Sequence, residues 1–255
     1  TIPLAGLALL TALLAAGCQR RTVGDFRHPG PRPDATIFTA LDLPAPNEQR
    51  TAAGAPGPGY WQQRASYDIE VALDPETRRV TGRETITYEN HSPHALSYLW
   101  LHLEQNVHRD DSIRSRLNGY RPGAGIDHLR VTRDGAELET AEYETLLRIV
   151  PAEPVPPGGE YVFDVEWEFR IPDRALRHGF DPVEGGGVFQ LAQWFPCMVK
   201  YDDTHGWNAI PYAGNGEFYT DFGDYEVAIT VPRDHLVVAT GVSGDGRREI
   251  LGMAL

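Results

Sequence analysis

From Tyr161 to Ile171 an apolar side chain stands at every second position: Tyr161, Phe163, Val165, Trp167, Phe169 and Ile171, with Asp164, Glu166, Glu168 and Arg170 between them. A period of two predicts a strand with one face in a core and the other in water. YDIEVALD shows the same period, since Tyr67, Ile69, Val71 and Leu73 alternate with Asp68, Glu70 and Asp74. After the turn DPETR, Val80, Ile86 and Tyr88 fall on one side of VTGRETITYEN, so the two segments predict a hairpin. Leu96 to Glu104, LSYLWLHLE, is apolar almost without interruption, which suits a central strand buried on both faces. NVHRDDSIRSRLNGYRPG carries little strand signal and reads as a loop with a short helix. Asp134-Gly135 marks a turn between two short strands, and DYEVAITVP with HLVVATG forms a last strand pair. With no fixed-period repeat and no long amphipathic helix, these elements predict a mainly β fold, an antiparallel β-sandwich or saddle.

The first residues are patterned differently. Ile2 to Ala16 is an apolar run broken only by Gly6 and Thr11, too short and wrongly flanked for a membrane span and suited to the h-region of a secretory signal. It ends Leu14-Ala15-Ala16-Gly17-Cys18, where small residues before a cysteine resemble a bacterial lipobox; Cys18 then becomes the lipidated first residue of the mature chain. Ala15 stands where such a motif prefers Leu, and the absence of a starting Met and of a basic n-region reads as a truncated start. An ordinary cleaved signal or a buried apolar helix is the alternative. Residues 18–59 are rich in Pro, Gly, Ala and charge without a period and read as a disordered tether. The division expected is a lipoprotein-type signal segment over 1–17, a tether over 18–59 and a β domain over 60–255, truncated at its C-terminal end. The location expected is the cell envelope, lipid-anchored; Gln19 suits the outer membrane and periplasm if the cell has them.

Composition narrows the function classes. The 255 residues include 26 Gly and 20 Pro, which favours turn-rich β structure. A net charge of −13 without a Lys/Arg block excludes nucleic acid as a natural partner. Two cysteines make no disulfide framework.

The chemistry legible in the motifs is mostly negative. None of the nine His is followed by Glu, so HExxH is absent, and Cys18 and Cys197 form no CxxC. No GxSxG elbow occurs, and Cys197 beside Pro196 reads as a buried structural thiol. Gly185 to Gly187 precede a strand, not a helix, so they do not cradle a phosphate. Trp194, Phe195, Tyr201 and Trp207 fit either a core cluster or the wall of a pocket. Asp202 and Asp203 fit a turn before Gly206-Trp207 better than a pair of acids.

The order of the segments resembles a known family. YDIEVALDPETRRVTGRETITYEN, LSYLWLHLEQN, VPPGGEYVFDVEWEFRIP, FQLAQWFPCMVKYDDTHGWN and FGDYEVAITVPRDHLVVATG succeed one another as in the N-terminal β domain of the membrane alanyl aminopeptidase family of zinc metallopeptidases, over roughly residues 60–243. WFP, YDD, GW and GEFYTDFGDY are most similar to a bacterial, often membrane-anchored subgroup. The resemblance implies a zinc-dependent peptidase whose HExxH, later Glu and GxMEN loop lie in a following thermolysin-like domain, and none of these occurs in this sequence. This chain is therefore expected to bind no zinc, to hold no catalytic residue and to be inactive alone. Its expected partners are the downstream catalytic domain, a peptide substrate and, through lipid, a membrane.

In that family a QxE motif upstream of the FPC segment takes the substrate's α-amine. Gln190 matches the Gln and Ala192 falls where the Glu belongs, unless a shortened loop brings Gln193 there. Gln190 and Gln193 are the candidate substrate-binding residues, with strand residues satisfying backbone groups as the alternative. The rival function is a non-enzymatic β-sandwich envelope lipoprotein that binds peptide or glycan; a third is the family fold with its metal site lost.

Overall fold

A computed structural model describes residues 45–175, 177–216, 218–242 and 248–254. The expected signal segment, most of the expected tether and the lipidation candidate Cys18 lie outside the described residues.

In chain order the strands are β1 (Arg64–Asp74), β2 (Arg79–Glu89), β3 (Leu99–His102), β4 (Gly125–Arg133), β5 (Ala136–Glu137), β6 (Glu139–Tyr143), β7 (Leu146–Val150), β8 (Glu160–Arg170), β9 (Arg174–Ala175), β10 (His178–Val183), β11 (Gly186–Gln190), β12 (Cys197–Met198), β13 (Tyr201–Asp202), β14 (Gly206–Trp207), β15 (Tyr225–Thr230), β16 (Val237–Val242) and β17 (Arg248–Ala254). Between β3 and β4 lie a 3-10 helix, Glu104–His108, and a short helix α1, Ile113–Asn118. The fold is mainly β, and its sheets are mainly antiparallel.

The period of two builds the large sheet, ordered β15-β1-β2-β8-β4-β5. β1 and β2 pair from Arg64↔Glu89 to Asp74↔Arg79, and the Asp74 carboxylate holds their turn by accepting from the Glu76 and Thr77 amides. β8 pairs β2 over its full length and buries Tyr161, Phe163, Val165, Trp167 and Phe169. A four-stranded sheet, β12-β3-β7-β6, supplies Leu99, Leu101, Leu147, Ile149 and Met198 to the same core. Two sheets sharing one core make the sandwich. Gly82 is required there: it lies opposite Trp167, and a Cβ on it would sit 2.3 Å from the indole.

Three elements differ from the sequence reading. The strand expected over Leu96–Glu104 is confined to Leu99–His102, because Glu104 turns the chain into the 3-10 helix. Asp134 and Gly135 both take positive φ, 52° and 79°, as a two-residue hairpin turn requires, but β4 before them is nine residues long, sustained by pairing with β8. The two C-terminal strands do not pair with each other. β15 joins β1 in parallel at the sheet edge, while β16 pairs β17. As an edge strand β15 leaves Tyr225, Val227 and Ile229 exposed despite their alternation.

Charge ties the segment before β1 and the loop after β14 to the domain. Arg50 donates to both oxygens of Asp203 at 2.7 Å. Lys200 Nζ meets Asp221 Oδ1 at 2.5 Å, with both side chains buried.

Candidate functional site

β11 ends at Gln190, which is exposed, and the chain then leaves regular structure until Cys197. Within that stretch Gln193 takes φ +48°, a left-handed conformation uncommon for a residue with a Cβ. What holds it is Gln105 of the 3-10 helix. Its Nε2 donates to the carbonyls of Ala192 and Gln193 at 3.0 and 2.8 Å. Gln105 is buried because this contact satisfies its amide.

The aromatic residues after Gln193 serve packing. Trp194 lies against Trp167 and Phe195, and Phe195 lies edge-on to Tyr67. Tyr201 stacks on Trp61 at 5.6 Å and meets Trp207 at 5.0 Å. Asp202 accepts from the amides of Thr204 and His205, so it holds the turn, and Asp203 answers Arg50. The Cys197 thiol is pushed well up by burial, with Glu104 and Glu84 adding to the effect, so it is protonated and unreactive at neutral pH.

The loop, the 3-10 helix and α1 enclose a cavity of about 10 Å³ lined by Glu104, Gln105, His108, Arg114, Ala192 and Gln193. That volume admits one water-sized group. Gln193 therefore reaches the cavity and Gln190 does not. Two polar atoms of its lining, Glu104 Oε2 and Arg114 Nη1, are buried without a hydrogen-bond partner. Burial pushes the Glu104 carboxyl up to about 8, so it is mostly protonated at neutral pH. His102, whose Nδ1 is 3.6 Å from Glu104 Oε1, is pushed down to about 4 by the same cause, so the pair meets as neutral groups.

Arg114 stands at the His108 end. Its guanidinium lies over the Tyr120 ring at 4.1 Å. Burial lowers His108 to about 3, and His178 and Arg114 add to the shift. The two imidazoles stack at 5.2 Å, and both ring nitrogens of His178 lack a partner. A further carboxyl, Glu84, sits on the inner face of β2 with neither oxygen bonded and is pushed well above the usual range by burial.

Among the described residues no group of three His, Cys, Asp or Glu is placed to hold a metal ion. No helix among them is long and apolar enough to cross a membrane. Glu104, Gln105 and Arg114 were not singled out by sequence; the available signal was the polar run Glu104-Gln105-Asn106, wholly buried, directly after an apolar strand.

No family model and no curated protein matches the chain. Solved structures do. The M1 zinc metallopeptidase from Deinococcus radiodurans is 15% identical with a TM-score of 0.39, covering 78% of this chain and 39% of that one. The same enzyme as a variant bound to a Tyr-Ser-Ala substrate gives the same figures. A two-domain M1 zinc metallopeptidase variant bound to L-arginine is 14% identical, with a TM-score of 0.39 and coverages of 75% and 38%. The chain thus spans about two fifths of the length of the solved structures it matches.

Proposed function

We propose that this chain is the non-catalytic N-terminal β domain of a zinc-dependent, aminopeptidase-like metallopeptidase. The observation that carries the reading is the ordered series of family-like segments over residues 60–243, from the first hairpin through QWFPCMVKYDD to the C-terminal strands. Zinc belongs, in this proposal, to a downstream domain bearing HExxH and a later Glu. The work of this chain is positional. The Gln105 amide fixes the Ala192–Gln193 loop, and the Trp194–Phe195 pair seats that loop on the core. A loop held this way presents one fixed wall to a peptide, and prior positioning is where a non-reacting domain contributes to rate.

The coding sequence after Leu255 tests the reading. An HExxH followed by a later Glu is expected, and a stop codon soon after Leu255 refutes it. The anchor belongs to the same proposal: Cys18 carries lipid and holds the protein at the cell envelope. Cys18→Ser is expected to abolish incorporation of labelled lipid, and labelling that survives the substitution overturns the anchor.

A further inference from the structure

Lys200 and Asp221 meet where a pair of charges gains little. Nζ lies 2.5 Å from Oδ1, and the two side chains are 4% and 1% exposed. Attraction repays the desolvation of two buried ions when further hydrogen bonds satisfy their remaining atoms. Here Asp221 Oδ2 is buried with no hydrogen-bond partner. Burial raises the Asp221 carboxyl even though the Lys200 ammonium in contact with it lowers it. The surroundings thus favour an uncharged group at Asp221.

The backbone on both sides holds the pair still. The Lys200 carbonyl accepts from the Asn208 amide at 2.9 Å, and Nζ stands 5.6 Å from the centre of the Tyr219 ring. Phe222, next to Asp221, bridges Arg64 at the start of β1, and its carbonyl accepts from the Ala65 amide at 3.1 Å. Neither side chain has to be brought to the other.

We propose that Lys200 and Asp221 condense into an intramolecular isopeptide bond, a covalent staple across 21 residues of chain. Proximity is the main driving term, since groups held in contact react as if present at about 10⁵–10⁸ M. The proton of the Nζ–H···Oδ1 bond passes to Oδ1, which leaves an amine facing a carboxylic acid. The Nζ lone pair forms the Nζ–Cγ bond while the π electrons of Cγ=Oδ2 move onto Oδ2. A second proton then leaves Nζ for Oδ1, the Cγ–Oδ1 bond breaks, and Oδ1 departs as water as Cγ=Oδ2 reforms. An ammonium and a carboxylate become one amide and one water, so atoms and charge balance and nothing is oxidised or reduced.

The product resolves what the ion pair leaves open. An amide has no net charge to desolvate, and the unbonded Oδ2 becomes a neutral carbonyl oxygen. The staple also fixes the approach to β15, an edge strand flanked only by β1. Among the described residues the chain has no disulfide to do this, because Cys197 is a free thiol. The inference does not rest on the peptidase reading, since both groups belong to this domain.

Mass spectrometry of the full chain, folded at pH 7 and then digested with chymotrypsin, tests the proposal. Chymotrypsin cuts between the two residues, after Trp207 and Tyr212. The expected product is a branched peptide with two N-termini, lighter than its two parts by one water, about 18 Da. Lys200→Met and Asp221→Ala are each expected to abolish the branched peptide, and the wild-type digest decides the question even if neither variant folds. Separate peptides of full mass carrying unmodified Lys200 and Asp221 overturn the bond and leave an ion pair. A lost water that maps instead to Asp134-Gly135 or Asp245-Gly246, where an aspartate can dehydrate onto its own backbone, overturns it equally.

Discussion

Replacing Glu104 by Gln is expected to stabilise the chain, and to do so more as pH rises. The substitution keeps volume and shape and removes only the titration. In the folded chain burial holds this carboxyl at about 8, against 4.5 for the free side chain. The fold thus favours the neutral form, so the contribution of Glu104 is complete below pH 4.5 and is lost as pH climbs through 8. Over that window the wild type loses about 1.4 kcal/mol per pH unit relative to a residue that does not titrate. The deficit comes to about 1 kcal/mol at pH 5 and about 3 kcal/mol at pH 7. The assay is urea unfolding of both proteins at pH 5, 6 and 7. Glu104→Gln is expected to gain about 2 kcal/mol on the wild type between the ends of the series, which for a domain of this size is about 4–8 °C in Tm. A difference that stays constant, or that shrinks as pH rises, refutes the claim that an unpartnered, desolvated acid lies in this cavity.

Other substitutions test the frame around it. Gly82→Val drives a side chain into the Trp167 indole and is expected to cost about 3 kcal/mol or more, read as a lower urea midpoint with an unchanged slope. Asp221→Ala strands the buried Lys200 ammonium and is expected to cost about 3–5 kcal/mol; adding Lys200→Met in the same chain recovers most of it, and a double-mutant cycle without coupling contradicts the pairing. His178, held near 4 by burial, is stabilising in its neutral form above pH 6.5 and loses that contribution as pH falls towards 4. His178→Phe is accordingly expected to gain about 2 kcal/mol on the wild type between pH 7 and pH 5, measured by unfolding at both values.

Much of the sandwich is legible from alternation alone, and the reason is local. In β8 each of Tyr161, Phe163, Val165, Trp167 and Phe169 is buried because the strand is central, flanked by β2 and β4, and its inner face meets the four-stranded sheet, so the pattern and its environment agree. β15 shows the limit: Tyr225, Val227 and Ile229 carry the same period, yet only β1 flanks them, and burial depends on a neighbour that the pattern cannot report. The cavity is illegible for a related reason. Gln105 meets the Ala192 carbonyl across 87 residues of chain, and no spacing in the sequence announces that the turn after an apolar strand will hold a loop so distant. Gln193 was visible through its place before WFP, while its left-handed backbone and its position in the wall come from that contact.

The central claim is that this β domain serves a zinc peptidase acting at a free N-terminus. The most direct measurement is release of the anilide from an amino-acid anilide by the intact gene product, before and after chelation. The account predicts hydrolysis that chelator abolishes, zinc restores and N-acetylation of the substrate prevents. No hydrolysis by the zinc-loaded intact protein, or hydrolysis indifferent to chelator, contradicts it.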